Sequence, residues 1–74
     1  MLANEERADR GREILEIYAR KFGDPYDPTV NLTDVLTDLM HTAAIRPELG
    51  LAFKVSLRMA NLHFEAETEE QLNA

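Results

Sequence analysis

The chain has no cysteine and no tryptophan in its 74 residues. Neither a disulfide nor a thiolate-held metal can therefore add to its stability. Glycine occurs three times, at positions 11, 23 and 50, too scattered to build a loop that cradles phosphate. No apolar run approaches the roughly 20 residues needed to cross a bilayer. The segment MLANEERADRGRE lacks the apolar stretch of a signal peptide, so no membrane partner and a cytoplasmic location are expected. Bases are also scarce: eight Lys and Arg stand against 14 Asp and Glu, a net charge of −6. That balance disfavours nucleic acid, whose binders carry a basic footprint. With no cysteine nucleophile, and with Ser56 placed mid-helix without a base nearby in sequence, no catalytic constellation is visible. The expectation is a non-enzyme that needs no cofactor.

What remains is a globular composition, 45% hydrophobic and 30% charged, in a chain of one domain, 1–74. Size scaling predicts about 4,600 Å² of exposed surface for a compact fold of this mass. Three helical stretches account for nearly all of it. The first covers about 4–22, with Ile14, Leu15, Tyr18 and Phe22 at helical spacing. Gly23-Asp24-Pro25-Tyr26-Asp27-Pro28 breaks it, glycine suiting the C′ position and the prolines forbidding continuation; Asp24 and Asp27 lack the ligand spacing of a calcium loop. The second runs about 32–45, with Asn31 as expected N-cap, Asp34 reaching back to it, and Leu32, Leu36, Leu39, Met40 and Ala43 as its apolar stripe. Arg46–Gly50 is a short connection. The third covers about 51–70, with one apolar row at Phe53, Leu57, Ala60 and Phe64 and a second at Leu51, Val55, Met59 and Leu62. The expected fold is all-α, a three-helix bundle with helices 2 and 3 as an antiparallel hairpin and the first packed across them. Ile14, Leu15, Tyr18, Phe22, Leu32, Leu36, Leu39, Met40, Phe53, Leu57, Ala60 and Phe64 are its expected core.

Charge is unevenly distributed. Residues 23–45 and 59–74 carry four acids each and no base, while 46–58 hold three bases and one acid. The acidic stretches, Asp34, Asp38 and Glu67 among them, could present a negative field to a basic protein, although excess acid also simply improves solubility. Lys54, Arg58 and Asn61 share one face of helix 3, the spacing by which a recognition helix reads DNA. Asp38 with His41, and His63 with Glu67, sit at helical spacing and could converge across a hairpin as metal ligands. Such pairs arise often by chance, and His63, flanked by Leu62 and Phe64, reads as a packed side chain. No metal is expected.

Two segments, NLTDVLTDLMH at 31–41 and NLHFEAE at 61–67, carry a resemblance. The chain resembles a group of small helical proteins of bacteria, phages and plasmids that share Asp-Leu-Met-His and, after a short turn, His-Phe-Glu-Ala-Glu. Asp38, Leu39, Met40, His41, His63, Phe64 and Glu67 match that pattern. The turn departs from it, with Leu49-Gly50-Leu51-Ala52 where an aspartate cap is usual. The resemblance implies residence on a mobile element and brings no activity with it.

The functional expectation is a non-catalytic protein-interaction module, an acidic accessory or inhibitor protein of a phage or mobile element, with a protein partner that the sequence does not name. The alternative is a small DNA-binding transcriptional regulator that uses the third helix. Candidate binding residues are Asp34, Asp38, His41, Lys54, Arg58, His63 and Glu67. A homodimer is also expected, held by Leu51, Val55, Met59 and Leu62, because three helices cover that second row only partly and a lone core this small seldom suffices.

Overall fold

The computed structural model describes residues 4–73 of the chain. Within them it is all-α: α1 is Asn4–Lys21, α2 Pro28–Ile45 and α3 Phe53–Asn73, with a single 3-10 turn at Pro47–Leu49 between the last two. Glu5 and Glu6 in the first turn of α1, and Arg20 and Lys21 in its last, complement the helix dipole. At its end the Phe22 and Gly23 amides both donate to the Tyr18 carbonyl, at 2.8 and 3.0 Å.

The second helix begins earlier than its sequence suggests, and Asn31 is not its cap. Asp27 is, with extended backbone and a carboxylate that accepts from the Thr29 and Val30 amides at 3.1 and 3.2 Å. Pro28 follows at the first helical position, where a missing N–H costs nothing. The Asn31 amide accordingly donates to the Asp27 carbonyl, inside the helix. Thr33, Thr37 and Thr42 each return their hydroxyl to the carbonyl four residues back, which lets polar residues sit mid-helix without competing for the backbone. After α2 the chain turns through Pro47–Leu49 and closes on Gly50, whose φ of 64° and ψ of 29° lie in the left-handed region. Glycine is required there. Gly23, expected as the left-handed residue after α1, does not have positive φ; its lack of a side chain serves packing instead.

Asn31 does that packing. It is the one buried residue among those whose burial is described, 4% exposed. Its side-chain oxygen accepts from the Asp24 amide at 2.8 Å and its Nδ2 donates to the Asp24 carbonyl at 2.6 Å. A Cβ on Gly23 would collide with this side-chain amide, coming within 2.9 Å of its Cγ. The Asp24 carboxylate in turn accepts from the Tyr26 amide at 2.8 Å, closing the loop on itself.

α2 and α3 form the antiparallel hairpin, open at the end away from its turn. Near the turn they share an apolar depression lined by Met40, Ala43, Ala44, Phe53 and Val55. Glu67 lies 14 residues beyond the start of α3, and 14 residues back from the end of α2 is Asn31. A closed hairpin would set those two side by side. Instead Asn31 is held by the Gly23–Asp24 loop, and Glu67 meets the start of α1: its carbonyl accepts from Asn4 Nδ2 at 3.4 Å and its carboxylate pairs with Arg7 Nε at 3.2 Å. α1 therefore bridges the open ends of the hairpin, which stand roughly 20 Å apart at 1.5 Å per helical residue. The molecule spans 41 × 31 × 17 Å, with a radius of gyration of 14.4 Å against about 11 Å for a compact chain of this length.

This geometry overturns the expected core. No hydrophobic side chain is buried among the described residues. Leu15, Tyr18 and Phe53 are half-buried, whereas Ile14, Phe22, Leu32, Leu36, Leu39, Met40, Leu57, Ala60 and Phe64 are exposed. Phe22 and Phe64 reach 76% and 67%. Helical periodicity identifies which face is apolar; helices packed this loosely do not cover it.

Candidate protein-interaction surface

The apolar rows of α3 lie on distinct faces, because successive residues are rotated by about 100°. Ala60 and Phe64 turn toward the start of α1, where with Arg7, His63 and Glu67 they line a shallow hollow, and Met59 stands at its rim, between the two rows. Val55, Met59 and Leu62 form the other row, continued by Ala66. Val55, Met59 and Leu62 are 52, 42 and 53% exposed, and Leu51 at the head of that row is exposed too. On α2, Leu32, Leu36, Leu39 and Met40 stand equally open. The total exposed surface is 6,448 Å², about 1,800 Å² above the compact expectation. The exposed apolar side chains of α2 and α3 contribute to that excess.

The polar candidates disperse around this surface. Asp38 accepts a hydrogen bond from the Tyr18 hydroxyl at 2.6 Å, joining α1 to α2 beside the edge-on contact of Tyr18 with Phe22. That bond, followed by partial loss of water and then the charges of Asp38 and Asp34, pushes the Tyr18 hydroxyl up to about 12. Glu67 is taken by Arg7, a pair in which the Arg7 side chain is half-exposed and the Glu67 carboxylate largely covered, at 51 and 16% exposure. Asp38 and Glu67 thus face different partners, and the His41 and His63 pairs are not drawn together. Among the described residues no group of three metal-ligating side chains assembles. Asp24 and Asp27 hold the loop and the α2 cap. Asp34, His41, Lys54, Arg58 and His63 are exposed, and no cleft gathers them.

Lys54 and Arg58 occupy the first turns of α3, and Glu65, Glu67 and Glu69 its later ones. Both clusters oppose the helix dipole, which favours acids first and bases last. Lys54, Arg58, Glu65 and Glu69 lie along one flank of the Val55–Met59–Leu62 row.

Tyr18, Asn31 and Asp27 carry more structure than the sequence had indicated. The Asp-Pro pair at 27–28 was a legible start signal; the Tyr18–Asp38 bond, across 20 residues, left no local trace. Among the described residues no helix is long and apolar enough to cross a membrane. Comparison with family models, with curated proteins and with solved structures finds no match.

Proposed function

We propose that this chain is a non-catalytic protein-interaction module, acting as an acidic accessory or inhibitor protein of the kind a phage or mobile element carries. The observation behind this reading is the absence of any buried hydrophobic side chain among the described residues, in a chain that is 45% hydrophobic. Monomers rarely leave large contiguous apolar patches in water, and another protein surface is the natural cover for the exposed leucines of α2 and α3. The net charge of −6 and the scatter of the polar candidates weigh against nucleic acid and against catalysis.

Isolation of the chain from nuclease-treated host cells under native conditions tests the reading. It should emerge in a stoichiometric protein assembly, whether with itself or with another chain. A lone 8.4 kDa particle with well-protected backbone amides would overturn it. A gel shift over a salt series tests the DNA-binding alternative. No retardation is expected at low salt, whereas steeply salt-dependent binding lost on Lys54→Ala with Arg58→Ala would favour the regulator.

A further inference from the structure

We infer that the protein covering these faces is a second copy of this chain, paired antiparallel along α3 about a two-fold axis; this rests on the interaction-module reading and names its partner. Area is the first ground. The excess of about 1,800 Å² per chain over the compact expectation, about 3,600 Å² for two copies, leaves room for the roughly 2,000 Å² and more that obligate homodimers bury.

Charge supplies the second ground. Centred between Met59 and Leu62, an antiparallel pair sets Met59 of one copy on Leu62 of the other and Val55 on Ala66. Antiparallel helices bring like flanks together, so Lys54 and Arg58 of one copy run beside Glu65 and Glu69 of the other. A charge order that opposes the dipole within one helix becomes complementary between two. A parallel pair would instead set the basic end on the basic end. Two-fold symmetry makes the single patch self-complementary with no further sequence.

The whole chain at high micromolar concentration should show twice the 8.4 kDa chain mass by light scattering, with protected amides in α3. Since the protein has no native cysteine, orientation can be read by refolding Met59→Cys and Leu62→Cys variants together under oxidising conditions. The mixed disulfide should dominate. If each variant instead crosslinks to itself, the antiparallel pairing is wrong. Because core variants can simply unfold, charge reversal gives a surface test. K54E/R58E and E65K/E69K should each weaken self-association about tenfold or more, and their mixture should recover it. A single-chain mass with protected amides overturns both the second copy and the interaction reading. A single-chain mass with unprotected amides overturns the second copy alone, leaving a different protein as the cover.

Discussion

At the residue scale, the joint between α1 and α2 rests on a few polar contacts in place of a hydrophobic core. Asn31 satisfies both backbone groups of Asp24 from a buried position. Asn31→Ala orphans them and should cost about 2 kcal/mol in denaturant unfolding, while Asp27→Ala should cost about 1 kcal/mol through the lost cap. Gly23→Ala should destabilise as well, by driving a methyl into the Asn31 amide. Gly11 behaves oppositely: it lies in the interior of α1, and a Cβ there meets nothing within 4 Å. Gly11→Ala should therefore stabilise the helix by up to about 1 kcal/mol. The Tyr18–Asp38 bond has a pH signature. The hydroxyl is raised from 10.0 to about 12, so the stability it contributes is fully present below about pH 10 and is lost as pH rises through about 12. In a Tyr26→Phe background, ultraviolet titration should find Tyr18 ionising near 12, and Asp38→Asn should bring it back toward 10. An unchanged curve on Asp38→Asn would show that the bond does not persist in solution.

At the element scale, the three helices were legible because each carries a 3.6-residue apolar period bounded by glycine or proline. The start of α2 was misplaced because Asn31 is as good an N-cap residue as Asp27. Only the adjacent Pro28, fixed at the first helical position, separates the two possibilities. The core was not legible, and for a different reason. Leu36, Leu39, Leu57 and Phe64 repeat as core residues do, but period says nothing about what lies opposite. Whether α3 faces α1, α2 or another molecule depends on where the hairpin opens, and the opening is marked by Glu67 meeting Asn4 and Arg7 rather than Asn31. The candidate site shared this fate: the second α3 row was recognisable from its spacing, whereas the exposure of the α2 face was not. α3 also offers a separation of effects. Lys54→Glu improves the match to the dipole by roughly 0.5 kcal/mol and should raise stability if α3 acts alone. Paired antiparallel, the same change places an acid beside Glu69 of the other copy and should lower it.

At the scale of the whole molecule, the described helices enclose no core between them, since none of their hydrophobic side chains is buried. The apolar surface that would form one lies open on α2 and α3. On the proposed pairing with a second copy, folding and assembly form a single equilibrium and stability depends on protein concentration. Thermal unfolding followed by the helical circular-dichroism signal across a dilution series tests this coupling. The midpoint should rise steadily with concentration, and helicity at 25 °C should be lost as the chain is diluted toward the nanomolar range. A cooperative transition whose midpoint stays fixed over a hundredfold dilution, with helicity intact throughout, would contradict it.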